Sequence, residues 1–289
     1  MSGASFVSHR CNHLELHMIT YITDCYDGNA RARLSIRIGT LFGQSPTIVA
    51  ADGPDPESFA ALTLLDCLQS LELLGEDGHP TITLLNIAPR DGVWPNGVPF
   101  CFFWHGKHLV ASTFNARVLS LVRRELGIGH VYVTDIREAV TAAGFGADDV
   151  EKIAGTQFRS LWYLPLLAKW VADGRTVPAT ETAVPEVLDD EPTVSVVDNF
   201  GNCKLDQRLD LVPGTTLPVA QRNDDGSTTI VDVTCYPHLT AVPRNAPGII
   251  PGSSGTGFTE LVIRGGSAAE TFGLQPGDAL LERAAEKVA

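Results

Sequence analysis

The stretch "SVVDNFGNCKLD" (residues 195–206) is the most informative segment for predicting the fold of the second half of the chain. It begins as an apolar, β-rich run and then places a carboxylate, an aromatic ring and an amide, Asp198, Phe200 and Asn202, within five residues. A surface turn uses Gly and Asn but has no need of the Phe, and a core strand has no use for the Asp. The cluster therefore indicates either a contact with a small molecule or a Gly-Asn turn with Phe200 packed in the core.

Around this stretch the chain alternates between short strands and turns. The run extends from "TVSVVD" (193–198) to "DALLE" (278–282), with the turn "NDDG" (223–226) between two strand-like segments. Such spacing predicts an all-β domain over residues 192–289. The preceding residues 177–191 are rich in Pro, Thr and acidic side chains and are predicted to form a linker.

The first half of the chain has a different pattern of predicted secondary structure, in which strands alternate with helices. "MITYITD" (18–24) is a buried-strand pattern, whereas residues 55–74 and 158–174 place apolar side chains at helical spacing. This alternation predicts an α/β layered domain with a mainly parallel sheet over residues 18–176. Residues 1–17 are predicted to be a polar N-terminal extension.

Composition narrows the class of function. With 289 residues and 44% hydrophobic side chains, the chain has material for two folded domains. The formal net charge of -13 disfavours nucleic acid and anionic membrane as partners. No apolar run approaches the ~20 residues that span a bilayer. The six cysteines form no CxxC pair, which favours reduced thiols in the cytoplasm over a zinc site.

Three common catalytic motifs are absent. The sequence contains neither GxGxxG nor GxxxxGK[ST], so the dinucleotide and P-loop classes have no support. It also lacks the GxSxG elbow of α/β hydrolases. The usual catalytic motifs therefore give no indication of the reaction, and the expectation of a small-molecule substrate as partner rests on the Asp198–Asn202 cluster.

Four segments carry a resemblance to a known family, and they occur in the order of that family: "ITYITD" (19–24), "DGPDPESFAALTLLDCL" (52–68), "SVVDNFGN" (195–202) and "GTGFTELVIRGGSAAETFGLQPGD" (255–278). Through them the chain resembles the S-adenosylmethionine (SAM) hydroxide adenosyltransferases, a family that also includes the fluorinase and chlorinase enzymes. The resemblance implies an α/β first domain and a β-barrel-like second domain. It further implies a homotrimer whose sites lie between subunits, with SAM as substrate and neither a cofactor nor a metal ion.

The same resemblance assigns residues to the nucleoside end of the substrate. Asp24 stands where the family holds the ribose hydroxyls, and an ionised carboxylate can accept hydrogen bonds from two vicinal hydroxyl groups. Phe200 stands where an aromatic ring packs against adenine. Asn202 stands where an amide reads the edge of that base, since an amide offers both a donor and an acceptor.

The methionine end of the substrate is assigned in the same way. The resemblance places Asp198 near the amine of the methionine part. Ser253 or Ser254, with backbone amides of the Gly-rich turn, would lie near its carboxylate. All these roles are implied by the resemblance to the family.

The family displaces methionine, a neutral thioether, from the ribose C5′ carbon. Its hydroxide-using members activate water with an Asp, an Arg and a His. Alignment places Ala88 at the Asp position, Pro95 near the Arg position and Arg159 or Phe158 at the His position, so this set is absent. Arg159 and Ser160 become the candidate catalytic residues. The Ser160 hydroxyl would suit a halide in a dry pocket, and the Arg159 cation would suit an anion.

Three functions stay open at this point. The first is hydrolysis of SAM to adenosine and methionine, with water activated by Arg159 or by Arg90 or Asp91 in "PRDG" (89–92). The second is a 5′-halogenase that uses chloride or fluoride. The third is a protein that binds SAM or a nucleoside without catalysis.

Overall fold

The computed structural model describes residues 18–72, 74, 78–88, 97–187, 191–223 and 225–281. The expected N-terminal extension 1–17, the candidates Arg90 and Asp91, and Pro95 near the family's Arg position lie outside the described residues. The chain divides into two compact units. The first contains the described residues of 1–51 and 70–187, and the second contains those of 52–69 and 188–289.

The strands of the chain, in order, are β1 (Met18–Thr23), β2 (Thr47–Ala50), β3 (Thr81–Asn86), β4 (Phe100–His105), β5 (His108–Thr113), β6 (His130–Thr134), β7 (Thr180–Ala183), β8 (Val194–Val197), β9 (Cys203–Leu205), β10 (Thr216–Arg222), β11 (Thr228–Thr234), β12 (Pro247–Pro251) and β13 (Thr259–Ile263). The α-helices are α1 (Gly28–Phe42), α2 (Pro56–Gln69), α3 (Ala116–Leu126), α4 (Ile136–Ala142), α5 (Ala147–Gly155), α6 (Arg159–Trp162), α7 (Leu164–Ala172) and α8 (Ala268–Phe272).

The first unit is built on a seven-stranded sheet with the order β2-β1-β3-β5-β4-β6-β7. Strands β1, β2, β3 and β5 pair in parallel, and β4 runs antiparallel to both β5 and β6. Strand β6 therefore points the same way as the parallel group, and β4 and β7 run against it. The predicted α/β domain with a mainly parallel sheet is confirmed.

Local sequence explains most helix ends in this unit. Asp27 caps α1 by accepting hydrogen bonds from two backbone N–H groups, and Asn115 caps α3 by accepting one, from Val118. The segment 158–174 was expected to form one helix but is split into α6 and α7 at Tyr163. Pro165 lies in the first turn of α7, where its missing N–H is tolerated, whereas a continuous helix would need that N–H.

The core of the first unit joins the sheet to the helices that cover it. Strand residues such as Tyr21 and Leu84 pack with Leu34 of α1 and with Leu164 and Trp170 of α7. All five belong to one cluster of buried side chains, in which the rings of Tyr163 and Trp170 meet edge to face. Burial of this much apolar surface is the main source of stability for the unit.

The second unit contains a four-stranded sheet, β12-β13-β9-β8, and the hairpin β10-β11. The strand pairings within both are antiparallel, and a buried cluster that includes Leu205, Val219 and Leu261 holds them together. The predicted β domain is confirmed, with one addition. The segment "GSAAETFG" folds into the short helix α8, whose first turn is capped by the Ser267 hydroxyl.

The two units differ from the domain bounds drawn from the sequence at two places. The expected linker 177–191 contains β7, which pairs with β6 at the edge of the first sheet. Backbone pairing at an edge requires no alternation of apolar side chains, so the polar run "TETA" carries no strand signal. Residues 52–69, with α2, group with the second unit, where Asp66 forms an ion pair with Lys204.

Among the helices of the described residues, none is long and apolar enough to cross a membrane. No disulfide bond joins the five cysteines of the described residues, which are Cys25, Cys67, Cys101, Cys203 and Cys235. Burial raises the pKa of the Cys203 thiol to about 12, so that this thiol stays protonated at neutral pH.

Candidate functional site

In the first unit, Asp24 lies at the carboxyl end of β1, at the point where the order of the sheet reverses. Strand β2 pairs with one side of β1, and the chain then returns to place β3 on the other side. In open α/β sheets, ligands bind outside the carboxyl ends of the strands at such a switch point. The location of Asp24 is therefore the one that the fold favours for a ligand.

Backbone and side-chain hydrogen bonds hold this edge of the sheet in place. The Asp24 N–H donates to the Asn86 carbonyl at 3.3 Å, and the Asp24 carboxylate accepts the Ala88 N–H at 3.2 Å. The Asn86 amide donates to the Thr23 hydroxyl at 3.4 Å. The carboxylate is thereby fixed between the ends of β1 and β3.

The candidate catalytic residues Arg159 and Ser160 begin α6, also in the first unit. Ser160 is buried, and its carbonyl accepts a hydrogen bond of 2.9 Å from the Tyr21 hydroxyl. The Arg159 guanidinium packs on the backbone of Gly97, since a Cβ added there would fall 1.2 Å from Nη2. Partial burial lowers the pKa of Arg159 from its ordinary value.

In the second unit, the stretch that opened the sequence analysis forms a tight turn between β8 and β9. The Asp198 carboxylate accepts the N–H groups of Phe200 and Asn202 at 2.8 and 2.9 Å. It also accepts the side-chain amide of Asn202 at 2.9 Å. Asp198 therefore shapes the turn and orients the Asn202 amide.

Gly201 and Phe200 complete this turn. Gly201 has φ +80°, and a Cβ there would lie 2.1 Å from the Ser267 hydroxyl oxygen, so glycine is required on both counts. The Phe200 side chain is 71% exposed. The interpretation in which Phe200 packs into the core is therefore wrong, and an exposed aromatic ring stands on a rigid turn.

A cavity of about 300 Å³ opens beside this turn, within the second unit. It is bounded by α2, β8, β9, β13 and the loop after β12. Its lining consists of Phe59, Leu62, Thr63, Asp66, Val196, Asp198, Asn202, Lys204, Ser253, Ser254 and Glu260. The structure thus brings together Asp198, Asn202, Ser253 and Ser254, which the sequence assigned to one ligand.

Three charged residues of the cavity were missed by the sequence analysis: Asp66, Lys204 and Glu260. The Lys204 ammonium and the Asp66 carboxylate form an ion pair of 2.9 Å although the residues are 138 positions apart. Burial, followed by repulsion from Asp198 and Asp66, raises the pKa of Glu260, and Lys204 partly opposes the shift. The quoted segment 255–278 contains Glu260, but no local pattern marks it as a cavity residue.

Metal-ligating side chains do not cluster in the part of the chain that the structure describes. No group of three or more His, Cys, Asp or Glu side chains there is arranged to hold an ion. The polar side chains that line the cavity are carboxylates, an amide, hydroxyls and one lysine.

A mixed α/β unit combined with an antiparallel β unit defines the architectural class of the protein. Residues 192–281 match the family model of the SAM hydroxide adenosyltransferase C-terminal domain. The resemblance inferred from the sequence is confirmed for residues 192–281, which are similar to the C-terminal domain of the SAM hydroxide adenosyltransferases. The matched residues include the Asp198–Asn202 turn and the Gly-rich segment after β12.

Two solved structures are similar to the chain. An uncharacterized conserved protein from Thermotoga maritima superposes with a TM-score of 0.65 at 17% identity, covering 90% of this chain and 98% of its own. A conserved hypothetical protein from Thermus thermophilus gives a TM-score of 0.56 at 16% identity, covering 92% and 100%. At this identity they establish the shared fold alone. No curated protein matches the chain.

Proposed function

We propose that the protein binds SAM and transfers its adenosyl group to water, giving adenosine and L-methionine. The observation that carries the proposal is the family match over residues 192–281, with its Asp198–Asn202 turn folded as a rigid platform. Asp24 at the switch point of the first unit supports it, because a fixed carboxylate suits a ribose diol.

The nucleoside end of SAM is assigned to three residues. Asp24 accepts hydrogen bonds from the ribose hydroxyls. Phe200 offers an exposed aromatic face for adenine, which suits stacking because the side chain is 71% exposed. Asn202 reads the edge of the base, and its amide is oriented by Asp198.

The methionine end is assigned to the cavity of the second unit. Ser253 and Ser254 lie in its lining and can donate to a carboxylate. SAM carries a sulfonium and an ammonium, and the cavity carries three carboxylates against one lysine. The excess of negative charge favours such a cation and disfavours free phosphate esters.

In the proposed reaction, a water oxygen attacks C5′ from the side opposite to sulfur. The C5′–S bond breaks, its electron pair stays on sulfur as the neutral thioether of methionine, and the water proton leaves to solvent. The sulfonium is already a good leaving group, so the reaction needs no cofactor. Alignment of the water behind C5′ and exclusion of other water supply the rate enhancement.

Two alternatives have specific observations in their favour. A halogenase would use the Ser160 hydroxyl, and the burial of Ser160 is in keeping with a dry anion site. The second alternative is a protein that binds SAM without catalysis. It is favoured by Ala88, because this alanine stands where the family has its water-activating Asp. In this chain the Ala88 backbone N–H donates to the Asp24 carboxylate.

Chromatography of purified protein incubated with SAM tests the three functions directly. Parallel buffers without halide, with chloride and with fluoride separate the nucleophiles. Adenosine in every buffer is the expected result. A 5′-haloadenosine would replace the proposal with the halogenase, and measurable SAM binding without product would replace it with the binder.

The role of Asp24 is tested by Asp24→Asn, which removes the charge but keeps the size of the side chain. Loss of two charge-assisted hydrogen bonds is expected to weaken adenosine binding by about a hundredfold. Asp148→Asn, at an exposed position in α5, serves as the matched control. Equal affinity of both variants in calorimetry would remove Asp24 from the site.

The proposal includes the assembly implied by the family resemblance. A homotrimer in the cytoplasm, with each site formed by the first domain of one subunit and the second domain of its neighbour, would join Asp24 to the Asp198–Asn202 turn. Sedimentation equilibrium tests the assembly. A monomer that turns over SAM would contradict it.

A further inference from the structure

The Asp198 carboxylate, which family resemblance assigns to the substrate amine, already has several donors. It accepts three hydrogen bonds, from the N–H groups of Phe200 and Asn202 and from the Asn202 side chain. A carboxylate has about four acceptor positions, so most of its capacity is used inside the turn. A substrate ammonium with three N–H donors needs further acceptors in the cavity.

Two buried side-chain oxygen atoms of α2 have no donor among the described residues. One is Oδ1 of Asp66, whose other oxygen Oδ2 accepts from Lys204. The second is Oε1 of Gln69, which lies against the loop that carries Ser253 and Ser254: a Cβ at Gly255 would be 3.0 Å from it. A buried acceptor without a donor is costly, so a donor is expected from a ligand.

Glu260 is the third acceptor on this side of the cavity. A Cβ at Gly252 would lie 2.6 Å from Oε1 of Glu260, so the carboxylate packs against the backbone that leads into Ser253. The charged groups that face it are Lys204 on β9, Asp198 after β8 and Asp66 on α2. Only one of these is a cation, and it is already paired with Asp66.

We propose that Asp66 and Glu260 bind the α-ammonium group of the methionine part of SAM, while Asp198 positions Asn202. This inference rests on the proposed function and refines it. It makes the site selective for adenosyl sulfonium compounds that carry a primary amine. Neutral 5′-substituted adenosines, which share the nucleoside but lack the cation, gain nothing from these two carboxylates.

The proposal predicts that proton release accompanies binding. Burial, together with the neighbouring carboxylates and against the opposing effect of Lys204, raises the pKa of Glu260, so this side chain keeps its proton to a higher pH than an exposed glutamate does. An ammonium placed beside Glu260 favours the ionised form, and binding therefore releases protons. A residue with a purely structural role would show no such coupling.

The test is isothermal calorimetry of the oligomer with SAM, adenosine and the SAM analogue that lacks the α-amine. Glu260→Gln and Asp66→Asn are each expected to weaken SAM binding by about tenfold to a hundredfold, the range of a lost charge-assisted hydrogen bond. Adenosine affinity is expected to stay the same. Glu270→Gln, exposed on α8 in the same unit, is the matched control.

Proton uptake or release is read by repeating the titration at pH 5 to 8 in two buffers of different ionisation enthalpy. The wild type is expected to release protons on SAM binding at the acidic end of the series. Glu260→Gln is expected to abolish that release. This readout does not depend on turnover.

The outcomes separate the two proposals. If the wild type binds no SAM, the proposed function fails and the amine site fails with it. If the wild type binds SAM and both variants bind it equally well, only the amine site is overturned. Asp66→Asn could fail to fold because its ion pair is lost. In that case Glu260→Gln and the analogue without the α-amine test the amine site. Equal affinity of the wild type for SAM and for this analogue would overturn the amine site.

Discussion

The carboxylate of Asp198 accepts the side-chain amide of Asn202 at 2.9 Å, although family resemblance assigns the two residues to opposite ends of the ligand. The same carboxylate accepts two backbone N–H groups of the turn. The pair therefore acts as one rigid unit, in which Asp198 sets the turn and the direction of the Asn202 amide. Substitution of either residue is expected to affect the adenine contact.

Asp198→Ala is expected to destabilise the second unit by about 1–3 kcal/mol, because three donors lose their acceptor. This stability cost comes in addition to the loss of binding that the family resemblance implies. Urea unfolding measures it. Asp232→Ala, an exposed position on β11, is the control. Equal unfolding midpoints for both variants would contradict the role in the turn.

Gly201→Ala is expected to destabilise the unit by about 2–4 kcal/mol, through positive φ and overlap with Ser267. Gly226 offers a matched control, since it has nearly the same φ of +81° but nothing within 4 Å of an added Cβ. Gly226→Ala should therefore cost only about 1 kcal/mol. The difference between the two variants in thermal unfolding isolates the contact with Ser267, and similar values would show that this contact is unimportant.

Alkaline pH should destabilise the first unit through its buried tyrosines. Burial raises the pKa of Tyr21 and of Tyr163, so the folded chain keeps phenolic protons that the unfolded chain loses above pH ~10. Since the native state binds more protons, stability falls as pH rises, by about 1.4 kcal/mol per pH unit for each group.

Tyr21→Phe tests this linkage. The variant loses the hydrogen bond to Ser160 and should be less stable at pH 7 by about 1–2 kcal/mol. Its stability should then fall less steeply with pH than that of the wild type. Urea unfolding at pH 8, 10 and 11 measures both slopes, and parallel curves would contradict the assignment.

Gly97→Ala should displace the Arg159 guanidinium, because a Cβ at Gly97 would occupy its position. If Arg159 takes part in water activation, adenosine formation is expected to fall at least tenfold while SAM affinity changes little. Gly106→Ala, where φ is also positive and no atom lies within 4 Å, is the control. Unchanged turnover in Gly97→Ala would exclude a role for the position of Arg159.

Patterns that act over a few residues were predicted well. Strand β1, helix α2 and the β10–β11 hairpin all appear where the sequence indicates them. Their signals are alternation, caps and turn residues, each of which acts within one element. The break at Tyr163 was missed, although Pro165 in the first turn of α7 is a local signal for it.

The acceptor set of the cavity was not predicted, for a physical reason. Asp66 lies on α2, Lys204 on β9 and Glu260 on β13, and no periodicity links residues so far apart. Strand β7 was missed because an edge strand is held by backbone pairing, which leaves no pattern in "TETA".

The sequence by itself determined the two-part architecture, the Asp198–Asn202 turn and the position of Asp24 at the end of a strand. These features depend on local propensity and on motifs, and both signals lie within short segments of the sequence. Only the tertiary structure decided that Phe200 is exposed, that Asp198 is engaged by its own turn, and that Asp66, Lys204 and Glu260 share one cavity. Exposure and charge proximity depend on the packing of distant segments, and free energies of burial and ion pairing exist only once that packing is formed.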